Sequence, residues 1–198
     1  MSDPLLLVPL LVTLAGALVA AAAGLPALNR RLTVTRLAWL LAMAPLAAFG
    51  LILWLVTALG SGPAMVWRFD WIPSLGLSAG FYFDHLSALF ALLVTGIGAL
   101  VVVYAGYYFK SEERPWGEWR FLTYLLLFMT AMLGLVLAGD VITLFIFWEG
   151  TSVTSFLLIA YKTKDEAARR GAFKSLFITG GGGIALLLGL LLLSYVAG

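Results

Sequence analysis

Glu149 is the residue whose type and place suggest chemistry most directly. It stands inside an apolar run, residues 141–161, that is long enough to cross a bilayer. At 1.5 Å per residue it lies about 13 Å past Asp140 and about 18 Å before Tyr161, so its side chain cannot reach water at either end. A carboxyl group there must be neutral, paired or facing an aqueous cavity, and the chemistry such a group suits is proton or ion handling. Lys174 lies inside the next apolar run, one turn or slightly more beyond a basic loop. Two accounts of it are open. Its ammonium can snorkel to the interface, or it can act with Glu149. Counted from the basic side, Glu149 is roughly 18 Å deep and Lys174 roughly 7–10 Å, an offset of about 10 Å. That offset disfavours a direct salt bridge but leaves room for one or two waters or a third residue. A stepped pair of this kind suits a relay, in which the charge on one group biases protonation of the other.

The remaining polar residues have simpler readings. Thr151, Ser152, Thr154 and Ser155 make one stretch beside Glu149 unusually polar. Their hydroxyls either bond the preceding carbonyls or hydrate a passage next to the carboxyl group, and Ser152 is one turn on from Glu149. Asp84 precedes an apolar run and suits an N-cap. His85, the single histidine, follows it near a helix start, where interfacial packing competes with a proton-access role. Asp140 most simply caps the helix that carries Glu149. With no cysteine, thiolate chemistry and disulfides are excluded. No phosphate loop, Ser/His/Asp grouping or metal-ligand cluster is present, so neither an enzyme nor a bound cofactor is expected.

The elements that position these residues follow from composition. Hydrophobic residues make up 63% of the chain and charged ones 11%, and mean hydropathy is +1.05. Soluble domains hold about 25% charged residues. The expected fold is an all-α polytopic membrane protein of about six transmembrane helices in a single membrane domain, with spans at 5–25, 37–59, 83–108, 121–138, 141–161 and 173–196. The first run has no Lys or Arg ahead of it and is expected to remain as a span. Between the second and third, Trp67, Phe69 and Trp71 alternate with Arg68 and Asp70, which predicts a small hairpin at the membrane surface. Four consecutive glycines, 180–183, predict a loosened turn in the sixth span. Ten of the twelve basic residues fall between spans one and two, three and four, and five and six. The positive-inside rule puts those loops in the cytoplasm, with both termini and the hairpin outside. The pI near 9.0 is then a matter of topology, and nucleic acid is not an expected partner.

Several stretches resemble a known family. They are Trp71-Ile72-Pro73-Ser74-Leu75-Gly76, Phe83-Asp84 with the run 86–98, Leu144-Phe145-Ile146-Phe147-Trp148-Glu149 with Thr151-Ser152 and the run 155–159, and Ala172-Phe173-Lys174 before Ile178-Thr179-Gly180. In this order and spacing they resemble the N-terminal part of the large A-type subunit of Mrp-type multisubunit cation/proton antiporters. That superfamily includes the antiporter-like membrane subunits of respiratory complex I and of membrane-bound hydrogenases. The resemblance implies that Glu149 and Lys174 belong to a buried charged axis that conducts protons or governs their movement. It implies other membrane subunits as partners, H+ and Na+ or another monovalent cation as the ions moved, and a bacterial plasma membrane. A structural or assembly component of an antiporter-like or complex I-like assembly, without conduction of its own, is the alternative. The chain departs from the pattern at Gly150, where a larger residue is usual after the glutamate, and at His85, where glycine is usual. It departs again at Gly183, which takes the place of an acidic residue in the complex I relatives. Family members continue through further helices, which implies that a partner charge for Glu149 comes from outside these residues.

Overall fold

In lipid, an apolar chain can satisfy its backbone polar groups only by helices or closed sheets, and the computed structural model of this chain follows that rule. It describes residues 4–24, 33–72, 77–109, 118–161 and 165–197. A 3-10 turn, Pro4–Leu7, leads into α1 (Val8–Ala22), followed by α2 (Val34–Leu59) and a hairpin of β1 (Met65–Ile72) and β2 (Leu77–Phe83). Then come α3 (His85–Tyr108), α4 (Glu118–Val136), α5 (Val141–Ile159) and α6 (Glu166–Ala197). Among the described residues, six helices are long and apolar enough to cross a membrane, the first counted from Pro4. The protein is thus a multi-pass, all-α membrane protein with one small hairpin.

Helix α1 packs between α2 and α4, α3 packs on α2 and α4, and α5 and α6 follow α4 in sequence. Lipid supplies no hydrophobic drive between helices, so close backbone approach has to hold them. Small residues provide it. Gly106 lies against Ala38, Gly16 against Ala44, Gly98 beneath Met129, and Gly134 beneath the Phe147 ring. Leu41, Ile52, Val102, Leu122, Leu126 and Leu133 fill the space between the first four helices. Thr13 and Thr130 are buried there, their hydroxyls 3.0 Å apart, with Leu10 and Leu126 carbonyls accepting from them at 2.9 and 2.8 Å. Two polar side chains are thereby satisfied across the α1–α4 contact. Helix α2 continues through the buried Pro45.

The two ends of the bundle are built differently. At one, the Thr35 hydroxyl donates to the Gly106 carbonyl at 3.3 Å, and the rings of Phe109, Phe121 and Tyr161 cluster with centroids 4.9 to 5.7 Å apart. This end gathers the start of α2, the end of α3, the start of α4 and the end of α5. At the other end, β1 and β2 pair antiparallel with Trp67 opposite Phe81, and Phe81 stacks edge-on against Phe147 of α5 at 5.9 Å. The predicted surface hairpin is present, and Phe69 and Trp71 are exposed on it as interfacial aromatics would be.

Several boundaries differ from those read in the sequence. Phe83 belongs to β2, so α3 begins at His85 rather than 83. Helix α4 begins at Glu118 rather than 121 and ends at Val136 rather than 138, because Leu137 and Gly139 bond to β2 instead. Helix α5 stops at Ile159, two residues short of 161. The sixth helix starts at Glu166, seven residues before 173, with an exposed Arg170–Glu166 pair at 3.7 Å in its first turns. The loosened turn at glycines 180–183 is absent, since α6 runs through them unbroken. Apolar surroundings offer a glycine backbone no partner better than its own helix. The end of the first span at 25, the loop motif at 73–76 and the basic residues Arg30, Arg31, Lys110, Arg114, Lys162 and Lys164 lie outside the described residues.

Candidate functional site

Three of the candidate residues lie at the hairpin end, and each has a local use. The Asp84 carboxylate accepts from the Ser87 backbone N–H at 2.8 Å, while the Ser87 hydroxyl lies 2.8 Å from the Asp84 N–H, a reciprocal capping box at the start of α3. That Ser87 N–H holds the Asp84 carboxyl below the usual carboxylate range. His85 is exposed, its Nε2 3.1 Å from the Gly60 carbonyl. Asp140 caps α5 by accepting from the Thr143 N–H at 2.7 Å and from the Thr143 hydroxyl at 3.0 Å. Thr143 in turn accepts from the Gly80 N–H at 3.0 Å, which links the helix start to the hairpin. Gly80 is needed at that point, because a Cβ there would stand 2.6 Å from an Asp140 carboxylate oxygen.

Glu149 is in a different setting. Gly150 and Ala131 set α5 close to α4, with a Cβ at position 150 only 3.3 Å from that of Ala131, so the residue after the glutamate has to be small here. The glutamate side chain points the other way, into the seam between α5 and α6. Its Oε1 is shielded from solvent and has no hydrogen-bond partner among the described residues. The oxygen occupies the place where the first side-chain carbon of residue 183 would stand, and Gly183 has none. A buried polar atom without a partner costs about 1–3 kcal/mol, more if charged. Among the described residues nothing offsets that cost at the Glu149 Oε1.

The hydroxyls of the polar stretch of α5 bond preceding carbonyls, and some of them also border a groove. The Thr151 hydroxyl donates to the Trp148 carbonyl at 2.7 Å, Ser152 to the same oxygen at 3.3 Å, and Thr154 to the Gly150 carbonyl at 2.7 Å. Thr151, Ser152 and Ser155 also line a groove of about 620 Å³ between α4, α5 and α6, with Thr179 facing them from α6. Trp148 and Gly182, the neighbours of Glu149 and Gly183, form part of its wall. The carboxyl group thus lies one residue aside from a hydroxyl-lined opening.

Lys174 is exposed on α6. It precedes Gly183, and therefore the level of the carboxylate, by about 13 Å of helix axis toward the aromatic-cluster end. Among the described residues no ion pair joins it to Glu149. The structure thus places the two charges on adjacent helices at stepped depths and does not bring them together. The contact between Glu149 and Gly183 is not foreseeable from the sequence. Its signal there is a carboxylate in an apolar run and a glycine tract on the following span, but register between helices is not readable from either.

Comparison with known proteins adds the lineage. Residues 69–122 match the family described as the N-terminus of chain 5 of NADH-ubiquinone oxidoreductase (complex I), and residues 138–198 match the NADH:quinone oxidoreductase/Mrp antiporter transmembrane family. Over 171 residues the chain is 44% identical to the A1 subunit of the Na(+)/H(+) antiporter of Staphylococcus haemolyticus and 43% identical to that of Staphylococcus aureus. Each alignment takes in 86% of this chain and 21% of the relative, so the chain spans about a fifth of the length of the curated relatives it matches. The Mrp complex of a Dietzia species superposes with a TM-score of 0.74 at 32% identity, covering 92% of this chain and 18% of that one. The six helices, the hairpin and these matches in the same order show that the chain belongs to the family of antiporter-like membrane subunits shared by Mrp antiporters and complex I, and that it corresponds to the N-terminal part of the large A-type subunit of the Mrp antiporters.

Proposed function

We propose that the chain is part of a multisubunit monovalent cation/proton antiporter in a bacterial plasma membrane, and that Glu149 takes up and releases the transported proton. The observation that carries this reading is the Glu149 side chain, partly buried midway along a transmembrane helix, with an Oε1 that is shielded and has no hydrogen-bond partner among the described residues, beside a groove that Thr151, Ser152 and Ser155 help to line. An ionisable residue within a membrane span is costly and is a functional-site candidate by default. Lys174, stepped toward one face, is the proposed distant counterpart. Arg36, Arg120, Arg169 and Arg170 lie in the first turns of α2, α4 and α6 at the aromatic-cluster end, which supports a cytoplasmic placement of that end and an outside placement of both ends of the chain and of the hairpin.

The test is Glu149→Gln in the assembled antiporter, which keeps the shape and removes the titrating oxygen. Sodium-dependent proton movement into vesicles is expected to be lost, and transport at the parental rate would sink the conducting role. For Lys174, alanine and arginine variants are compared. A loss with Ala that Arg restores supports a charge acting on Glu149, and full activity in both leaves snorkelling as the account.

The second reading is a structural component whose charges no longer conduct. It is favoured by one observation, the lack of a counter-charge at Glu149 among the described residues. The Gln variant separates the two.

A further inference from the structure

The four glycines of α6 are alike in sequence and unlike in surroundings. A side-chain carbon added at Gly180, Gly181 or Gly182 would meet nothing within 4 Å. One added at Gly183 would land on the Glu149 Oε1, with the Trp148 ring 3.7 Å away. Gly183 is buried, whereas its neighbours Gly181 and Gly182 are exposed. The helix is continuous through all four, so none is there to break it.

From this we infer that Gly183 is a positioning residue for the Glu149 carboxyl group. This rests on the proposed role of Glu149 and adds the residue that fixes where its proton is held. The absent side chain forms a notch in α6, and the carboxyl group of the neighbouring helix fills it. The colliding atom is the far end of a flexible side chain, so a methyl group at 183 does not break the helix pair. It turns the carboxyl out of the seam. The room beside the seam is the groove that Thr151, Ser152 and Ser155 line together with Phe128, Met132, Leu135 and Leu186, so the displaced group leaves a place where its Oε1 is shielded for one where hydroxyls are within reach. Other charges facing this site are few. Between Tyr124 and the end of α4 there is no titratable residue, the α4 surface opposite Gly150 is Ala131, and β2 offers only Tyr82 near the far end of α5. On α6 the nearest described titratable group is Lys174, about 13 Å away along the helix.

The glycine tract supplies its own control. Gly181→Ala and Gly183→Ala raise helix propensity equally, and they differ in whether the new methyl meets Glu149. In membranes carrying the full-length protein in its complex, an apolar carbodiimide modifies protonated carboxyl groups buried in the bilayer, and mass spectrometry of the peptide containing Glu149 reads the yield. Gly183→Ala is expected to lower that yield several-fold and to shift the pH profile of sodium-dependent proton transport, while Gly181→Ala changes neither. Shortening the acid in the double variant Gly183→Ala/Glu149→Asp makes room for the methyl group and should recover a large part of both. Equal labelling in the two alanine variants overturns the inference. Altered labelling with unaltered transport upholds the positioning role and refutes the proposed part of Glu149 in transport, so the two claims fail separately.

Discussion

The hairpin end of the molecule and the α5–α6 seam treat polar groups in opposite ways. At the hairpin end, Asp84, Ser87, Asp140, Thr143 and the Gly80 backbone form closed sets of hydrogen bonds in which acceptors meet donors at 2.7 to 3.0 Å. In the seam, an oxygen of Glu149 is shielded and has no such partner among the described residues. Packing follows the same division. In its most apolar stretch, 44% of α4 is buried within the chain, against 17% of α5 and 6% of α6. The first four helices and the hairpin form the more closely packed part of the described chain. The last two carry the costly group and leave most of their surface for other contacts. A buried group without a partner calls for an explanation, and the proposed transport role supplies one for Glu149.

The division is open to experiment. The largest effect is expected from Glu149→Gln, which should remove proton transport and leave the thermal unfolding temperature of the detergent-solubilised protein unchanged or raised. A large destabilisation would mean that the carboxyl group is structural after all. In the scaffold the order should invert. Gly134→Ala pushes a methyl group into the Phe147 ring. Overpacking of this kind costs about 1–3 kcal/mol, against a gain of roughly 1 kcal/mol in helix propensity, so unfolding measurements should show a net loss. Asp140→Ala removes the cap of α5 and the acceptor that orients the Thr143 hydroxyl, at about 1–2 kcal/mol. Transport per folded molecule should survive both substitutions. The smallest effect concerns pH. Because Asp84 is held below its ordinary carboxylate value, its stabilising contribution is full at neutral pH and is lost as pH falls through that depressed value. Asp84→Ala should lower neutral-pH stability by up to about 1 kcal/mol and flatten the acid limb of the unfolding curve.

Much of this is legible in the chain. Apolar runs mark the helices, period-two alternation of Trp67, Arg68, Phe69 and Asp70 marks the hairpin, and the place of Asp84 and Asp140 before apolar runs marks the caps. These are local signals, and local physics generates them. The true start of α6 escapes such a reading because the charged turns from Glu166 to Gly171 carry no apolar periodicity, although most of their residues favour helix. The glycine tract looks weak because propensity scales describe helices in water, where the backbone has an alternative partner. The links from Gly80 to Thr143 and from Glu149 to Gly183 join residues distant along the chain or on separate helices. Their register is set by how neighbouring helices slide past each other, which no single-helix pattern contains. A glycine inside a strand can mark close backbone approach, and at Gly80 that signal is present without its partner.

The pairing of β2 with the α4–α5 turn has a mechanical consequence. The Tyr82 N–H donates to the Leu137 carbonyl and that of Gly139 to the Gly80 carbonyl, both at 2.8 Å, so hairpin and helix turn are stitched by directional bonds. At the opposite end the same helices meet mainly through the rings of Phe109, Phe121 and Tyr161, which tolerate sliding over a few tenths of an ångström better than a hydrogen bond does. A bundle bonded at one end and packed through rings at the other is expected to hinge at the bonded end. Any tilt of α5 would then be smallest at the hairpin, and Glu149, partway along the arm, is where it would change what the carboxyl group can touch.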